Sequence, residues 1–147
     1  MNARRLLLLI ATPLAIASLA APAAAAVINV VKTASCGCCG KWVEHMKKAG
    51  HDVRVTNVED VTPTARRLGV PDDLRSCHTS SVGGYAIEGH VPAADIARLL
   101  REKPKAAGLS VPGMVAGSPG MEMGSNKPPY QTIIFTRDGK RKVFAQH

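Results

Sequence analysis

The sequence predicts a small α/β protein whose segments alternate between strand and helix before ending in a β-hairpin. Short apolar, β-branched runs alternate with segments that show helical periodicity. Near the C-terminus, Asp138-Gly139 separates two strand-like runs, which is a strong hairpin signal. We therefore expect a small mixed sheet with flanking helices.

Residues 1–26 carry the features of a secretory signal peptide. Arg4 and Arg5 precede an apolar stretch, and small residues at 24–26 lie before the expected cleavage point near Ala26. A membrane anchor is the alternative, but Pro13 interrupts an apolar run that is short for a bilayer span. We therefore expect export to the periplasm, with no membrane anchoring after cleavage.

The remaining residues, 27–147, are enough for a single domain with one hydrophobic core. The whole sequence has a formal net charge of +8, but only 3% of its residues are aromatic and its basic residues are spread out. This pattern argues against nucleic-acid binding. No serine–histidine–aspartate motif, phosphate-binding loop or close carboxylate pair indicates an enzyme, so we expect a monomeric binding protein and leave catalytic turnover open.

The first part of this domain should be a strand–helix–strand unit. Residues 27–32 are apolar and β-branched, as in a buried strand, and residues 41–49 have the pattern of an amphipathic helix. Gly50 is suited to the helix C-terminus, and a second strand should begin at Val53. Because a helix connects them, the two strands should be parallel.

The middle of the domain should contain two helices with one strand between them. A short helix is expected to open at Thr62 and end near Leu68, and residues 76–80 should form a polar loop. Residues 82–88 read as a strand with a bulge at its two glycines, and residues 92–101 read as a second helix.

The C-terminal part should consist of an irregular extension and a hairpin. Residues 104–129 are rich in glycine, proline and methionine, and long loops of this kind in compact domains are usually functional or disordered. Residues 130–136 and 142–145 should then pair as the final β-hairpin.

Three of the four cysteines, Cys36, Cys38 and Cys39, lie between the first strand and the first helix. The positive end of a helix favours thiolates, and thiolates select soft ions, above all Cu(I). In an exported chain the alternatives are a Cys36/Cys39 redox pair or structural disulfides. Three cysteines in one turn would constrain the unfolded chain poorly, so the spacing favours a functional site over structural disulfides. Because soft sulfur ligands select soft ions, we prefer a copper site to the redox pair. Bridging thiolates in such a site could hold several ions.

Cys77 and His78 are the next candidate ligands. A thiol cluster between a first strand and a first helix matches a thioredoxin-like arrangement, in which the loop carrying Cys77 would pack beside the cluster. The alternative is a disulfide from Cys77 to one of the other cysteines, with His78 exposed. His90 follows the predicted strand and is a weaker candidate, which we leave outside the predicted ligand set.

The methionines of the extension, Met114, Met121 and Met123, are further candidates. Thioethers bind Cu(I) and remain ligands at low pH and under oxidising conditions. Methionine more often fills gaps in a hydrophobic core, but a segment rich in glycine and proline is a poor context for that role.

Several segments taken together match the pattern of a known family. They are Ser35-Cys36-Gly37-Cys38-Cys39 with Trp42 and His45, Ser76-Cys77-His78-Thr79, Gly84-Tyr85-Ala86-Ile87-Glu88-Gly89-His90-Val91-Pro92, Gly108-Leu109-Ser110-Val111-Pro112-Gly113-Met114 and Gly117-Ser118-Pro119-Gly120-Met121-Glu122. They resemble the CopG-type proteins, which are exported bacterial proteins linked with copper resistance and long catalogued as a domain of unknown function.

The resemblance implies a thioredoxin-like domain with a C-terminal extension and copper bound at the Cys-x-Cys-Cys motif. It also implies a role in Cu(I)/Cu(II) redox handling and so leaves copper oxidoreductase activity open. It carries over to Cys77 and His78 and extends to the three methionines above. Where the family pattern would place a proline after Met114, this chain has Val115-Ala116, which affects loop stiffness more than ligation.

The function predicted from the sequence is therefore sequestration or redox buffering of Cu(I) and Cu(II), contributing to copper resistance alongside other periplasmic copper-handling proteins. Two alternatives remain open at this point. One is a thiol–disulfide oxidoreductase that uses Cys36 and Cys39, and the other is a disulfide-stabilised binding module without metal.

Overall fold

The computed structural model describes residues 26–147, which form a mixed α/β fold around a single sheet. The strands are β1 (Ile28–Lys32), β2 (Val53–Asn57), β3 (His78–Val82), β4 (Tyr85–Gly89), β5 (Gly108–Val111), β6 (Gln131–Phe135) and β7 (Arg141–Gln146). The helices are α1 (Gly37–Lys48), α2 (Thr62–Leu68) and α3 (Ala93–Glu102), with one 3-10 turn at Asp72–Leu74. The seven strands follow the order β2-β1-β3-β4-β5-β6-β7. The predicted α/β class is thus confirmed.

The predicted signal peptide falls almost wholly on residues 1–25, which lie outside the described part of the chain. Within residues 26–147, no helix has both the length and the apolar character needed to cross a membrane.

The first strand–helix–strand unit forms as predicted, with one difference at the helix start. Strands β1 and β2 are parallel, from Ile28 opposite Val53 onwards. Helix α1 begins at Gly37 rather than near residue 41, so Cys36 is its N-cap and the next two cysteines belong to its first turn. Apolar periodicity located only the part of the helix that packs on the sheet, and the Gly-Cys-Cys-Gly run carries no such signal.

The single strand predicted over residues 82–88 is wrong, because two antiparallel strands, β3 and β4, occupy this region. Gly83 and Gly84 form the turn between them instead of a bulge, and their φ angles are 56° and 86°. A two-residue hairpin turn requires positive φ at both central positions, which glycine supplies at little cost. The expected polar loop at 76–80 is therefore mostly β3, whose His78, Thr79 and Ser80 are buried.

The extension predicted to be irregular over 104–129 contains one strand, β5, and all four of its residues are buried. It pairs in parallel with β4 and antiparallel with β6. Gly108 permits this close approach, because a Cβ at that position would lie 2.0 Å from the carbonyl oxygen of Ala86. Among the described residues after β5, residues 112–130 contain turns and one isolated bridge but no further strand or helix.

The final hairpin is confirmed, with β6 and β7 joined through a turn that contains Gly139 at a φ of 84°. The largest hydrophobic core packs α1 and α3 on the sheet, with Trp42, Met46, Ile87 and Leu109 fully buried. Helix α1 is therefore fixed against the sheet just behind its first turn.

Candidate metal centre

The four cysteines meet at one end of the sheet. Strands β1 and β3 are antiparallel, and Lys32 at the end of β1 faces His78 at the start of β3. This pairing brings the N-terminus of α1, which follows β1, next to Cys77, which immediately precedes β3. The predicted approach of Cys77 to the other cysteines is therefore present in the fold.

The sulfur atoms lie within contact distance of one another. The Sγ of Cys38 is 3.4 Å from that of Cys36 and 3.9 Å from that of Cys77. The Sγ of Cys39 is also 3.4 Å from that of Cys77. A single soft ion, or several bridged ions, could reach all four atoms.

Cys36 and Cys39 are joined by a disulfide, while Cys38 and Cys77 carry free thiols. Of the pairings that the spacing allows, the structure has the Cys-x-x-Cys bond, so it represents an oxidised form of the cluster. The thiolate is the form that binds metal, so a four-thiolate ligand set requires reduction of this bond.

Burial raises the pKa of the Cys77 thiol to about 12, and the neighbouring Cys38 adds to the rise. Cys77 is therefore a neutral thiol at physiological pH in the metal-free protein. A bound cation would reverse this preference, because it stabilises the thiolate directly.

Two fully buried histidines, His78 and His90, adjoin Cys77. The Nε2 of His90 is 3.1 Å from the Cys77 Sγ, and its Nδ1 donates to the carbonyl oxygen of Pro119 at 2.8 Å. That donation leaves the lone pair of Nε2 facing the sulfur. A backbone carbonyl that orients the far nitrogen in this way is typical of histidines that bind metals.

His78 has fewer hydrogen-bond partners than His90 among the described residues. Its Nδ1 lies 3.5 Å from the Cys77 Sγ, and its Nε2 has no hydrogen-bond partner among the described residues. Burial lowers the pKa of His78 to about 3 and also lowers the pKa of His90. Both imidazoles are thus neutral, which is the form that coordinates metal ions.

The donor atoms form two groups that share Cys77. One consists of the four cysteines and the other of Cys77, His78 and His90, and the ligand atoms within each group lie within 4.8 Å of one another. Sulfur with imidazole nitrogen suits copper and zinc, and a thiolate-rich set suits Cu(I) best.

A signal in the sequence could have placed His90 here. In the β3–β4 hairpin, Thr79 pairs with Glu88 and Val82 with Tyr85, so partners are equidistant from the central glycines. Counting two residues further outward places Cys77 opposite His90. The predicted bulge at Gly83 and Gly84 hides this correspondence, which becomes visible only when the two glycines form a hairpin turn.

The first part of the extension, residues 112–122, crosses the site, and we call it the strap. At its start, Gly113 N–H donates to the Arg75 carbonyl, and the Ser76 hydroxyl donates to the Gly113 carbonyl. At its end, Gly120 packs so closely on α1 that a Cβ would lie 2.8 Å from the Cys38 carbonyl oxygen. Together with Pro119, these contacts anchor the strap on both sides of the cluster.

The predicted methionine ligands lie on or just beyond the strap. Met114 follows Gly113 and is 59% exposed, Met121 follows Gly120 and is partly buried, and Met123 is 66% exposed. The exposed fractions of Met114 and Met123 exclude the alternative that these two fill gaps in the core. Their ligation of copper stays a prediction.

The cavities at the opposite end of the sheet are not lined by the predicted ligands. One of about 520 Å³ is lined by Lys105, Arg137 and Lys140 among others, next to the β6–β7 turn. Part of its charge is neutralised, since Lys140 pairs with Asp138 at 2.9 Å. The thiol cluster is therefore the candidate site of the described chain.

Comparisons with known proteins found one family match and similar solved structures. The family described as "Protein of unknown function, DUF411" matches residues 74–121, which include Cys77, both histidines and most of the strap. A structure titled "Copper resistance protein copG- Form 2" is 43% identical, with a TM-score of 0.79 over 83% of this chain and 98% of that chain. The Form 1 structure is 45% identical, with a TM-score of 0.78 over 82% and 96%. No curated protein matches the chain.

Proposed function

The chain belongs to the CopG family of copper resistance proteins, and from this premise we propose that it binds copper at the thiol cluster and sequesters or redox-buffers it in the periplasm. The resemblance inferred from the sequence is thereby confirmed. The observation that carries the proposal is the convergence of four cysteine sulfurs and two buried, neutral imidazoles at one end of the sheet.

We assign the central ligands to Cys36, Cys38, Cys39 and Cys77, joined by His78 and His90. Each reduced thiol that binds Cu(I) releases one proton, and the metal compensates the buried negative charge that the metal-free site disfavours. Because Cys77 belongs to both donor groups, its sulfur would bridge two ions. This arrangement supports binding of more than one copper ion.

The disulfide supports the redox part of the proposal. Two Cu(II) ions would each accept one electron from the Cys36 and Cys39 thiolates, giving two Cu(I) ions and the disulfide. An external dithiol, itself oxidised to a disulfide, would then supply two electrons and two protons and restore the two thiols. Cys38 and Cys77, which remain free, would retain Cu(I) during this exchange.

The methionines Met114, Met121 and Met123 would complete the site from the side of the strap. Their thioethers do not titrate, so they would hold Cu(I) where acid or oxidation removes thiolates. We further propose export as a monomer through the predicted signal peptide and exchange of copper with other periplasmic copper-handling proteins.

A thiol–disulfide oxidoreductase that uses Cys36 and Cys39 is the second candidate function. The disulfide between these residues at the start of α1 favours it. The free thiols of Cys38 and Cys77 count against it, because thiols 3.4 Å from the paired sulfurs would intercept a mixed disulfide with a substrate protein. Reduction of insulin by the metal-free protein would support this candidate, and absence of turnover would reject it.

An anaerobic Cu(I) titration against a chromogenic chelator, with native mass spectrometry, tests the main proposal. The fully reduced protein should retain Cu(I), and the triple Cys36/Cys38/Cys39→Ser variant should lose it. The oxidised protein should bind fewer ions, because two of its sulfurs are in the disulfide. Equal retention by the reduced protein and the triple variant would refute the proposal.

A variant with Met114, Met121 and Met123 replaced by leucine addresses the thioethers. Leucine preserves volume and apolar character, so circular dichroism should be unchanged. We expect the affinity for Cu(I) to fall by roughly tenfold or more at acid pH, where thioethers matter most, and less at neutral pH. Unchanged affinity at both pH values would show that the three methionines are not Cu(I) ligands.

A further inference from the structure

We propose that Glu88, a buried carboxylate outside the ligand set, is the positioning residue that holds the Cys77–His78 segment against the other three cysteines. The expected effect of Glu88 on Cu(I) affinity rests on the function proposed above, whereas its expected effect on the position of Cys77 does not.

The side chain of Glu88 projects from β4 and is fully buried. Its Oε1 accepts the backbone N–H of Ser76 at 2.8 Å, and its Oε2 accepts the hydroxyl of Thr79 at 2.6 Å. Ser76 and Thr79 flank Cys77 and His78 on either side. A single carboxylate therefore ties down both ends of the short segment that carries the two candidate ligands.

A positive charge, that of Arg75, completes the environment of this carboxylate. The Nε of Arg75 lies 3.4 Å from Oε1, and the arginine side chain is only 17% exposed. This nitrogen has no hydrogen-bond partner among the described residues, so the carboxylate is its electrostatic partner. Burying a carboxylate costs several kcal/mol unless it is paired and hydrogen-bonded, and here two hydrogen bonds and one ion pair from residues 75–79 meet that requirement.

Glu88 is placed to position the ligands and not to bind metal. Both of its oxygens already accept hydrogen bonds from the segment, and it belongs to neither group of converging donor atoms. Neutral contacts hold the residues just before this segment, since Ser110 Oγ donates to the Leu74 carbonyl and Gly113 N–H donates to the Arg75 carbonyl. Among these supports Glu88 provides the charged one.

A matched control exists elsewhere in the molecule. Asp95 in α3 is 6% exposed, accepts the hydroxyl of Thr132 at 2.6 Å and lies 2.9 Å from Nε2 of His147. It is thus a second buried carboxylate–threonine pair, and its contacts join α3 to β6 instead of supporting the cysteines. Loss of either carboxylate should destabilise the fold, but only loss of Glu88 should alter the cluster.

The experiment compares Glu88→Gln with Asp95→Asn in the whole protein. Three quantities are measured: stability to urea, the rate of Cys77 alkylation in the metal-free, disulfide-intact protein, and Cu(I) affinity of the reduced protein. Supporting residues of metal ligands typically change metal affinity by about 10–100-fold. We expect Glu88→Gln to weaken Cu(I) binding by that factor and to accelerate alkylation of Cys77 severalfold, while Asp95→Asn leaves both within about twofold of wild type.

Thr79→Val and Thr132→Val form a milder pair if the carboxylate variants do not fold. Valine keeps the shape of threonine and removes the one hydroxyl that each carboxylate accepts. Only Thr79→Val should accelerate alkylation and weaken copper binding.

The outcomes separate the two proposals. If the wild-type protein fails to retain Cu(I), the proposed function is refuted, and the alkylation rates still decide the role of Glu88. If wild type binds Cu(I) but Glu88→Gln and Asp95→Asn behave alike in alkylation and affinity, the positioning role is overturned.

Discussion

The two halves of the thiol cluster are built by different means. Cys36, Cys38 and Cys39 are neighbours in the sequence, at the start of a helix, and two of them share a local disulfide. Cys77 lies on a segment held by distant parts of the chain, chiefly by Glu88 of β4 and by the strap. The three cysteines of the local half are held relative to one another by their own helix, whereas Cys77 is held by tertiary contacts that can be altered without changing that helix.

Trp42→Ala should have the largest effect, because it removes the anchor of the local half. The Trp42 side chain is fully buried, its Nε1 donates to the Val91 carbonyl at 2.9 Å, and its ring lies 4.6 Å from that of His78. We expect the free energy of unfolding to fall by about 3–5 kcal/mol in urea denaturation. Trp42→Phe retains most of the apolar contact and should lose less, and equal losses for the two variants would show that packing of the ring is not the anchor.

Acid should have the second-largest effect, because it destabilises the folded protein through His78 in the distant half. The pKa of His78 in the folded protein, about 3, lies below the ordinary imidazole value of 6.5 because burial disfavours the imidazolium. This histidine therefore contributes stability that is present above pH 6.5 and is lost as the pH falls toward 3. In the metal-free protein we expect a decline on the order of a few kcal/mol over that window, measured by urea denaturation at a series of pH values.

His78→Gln should flatten this acid dependence, while His51→Gln, at a partly exposed position after α1, should leave it unchanged. His90 contributes in the same direction, since burial also lowers its pKa. An acid dependence that survives in His78→Gln would place its origin elsewhere.

Gly120→Ala should have the smallest effect on stability of the three changes. It tests the contribution of the strap independently of the two halves of the cluster. A Cβ there would lie 2.7 Å from the Trp42 backbone nitrogen, and the φ of 84° disfavours any L side chain. Gly124→Ala is the control, because its φ of 63° is also positive but nothing lies within 4 Å of the added Cβ. We expect the free energy of unfolding, measured by urea denaturation, to fall by about 1–3 kcal/mol in Gly120→Ala and by about 1 kcal/mol in Gly124→Ala.

Alkylation of Cys38 measures the consequence for the site in the same two variants. The strap packs against the backbone of this residue, so Gly120→Ala should make its thiol react faster. Equal rates in Gly120→Ala and Gly124→Ala would show that the strap does not cover the cluster.

The local half of the site could be predicted from the sequence, and the distant half only in part. The spacing of adjacent cysteines between a strand and a helix predicts the local half, and the turn residues Asp138-Gly139 predict the hairpin. Strand β3 cannot be predicted in this way, because its His-Thr-Ser-Ser sequence is polar and is buried only by its central place in the sheet. Without β3, the register that sets His90 opposite Cys77 could not be read.

The role of Glu88 is hidden for the same reason. A lone glutamate in an apolar strand gives no sign of its partners, which lie on the neighbouring strand and on the loop before it. Sequence patterns report which residues are apolar and which turns are feasible, but the contacts of a buried polar residue depend on sheet order.

The position of the disulfide has a consequence for chain entropy. The Cys36–Cys39 bond closes a loop with a sequence separation of 3, whereas a bond between Cys39 and Cys77 would span 38. By loop-closure entropy, the short bond restricts the unfolded chain by about 2 kcal/mol and the long one would do so by about 4 kcal/mol. The bond that the structure contains is thus the less costly one to open, and the cluster can gain or lose two electrons while the surrounding fold keeps most of its stability.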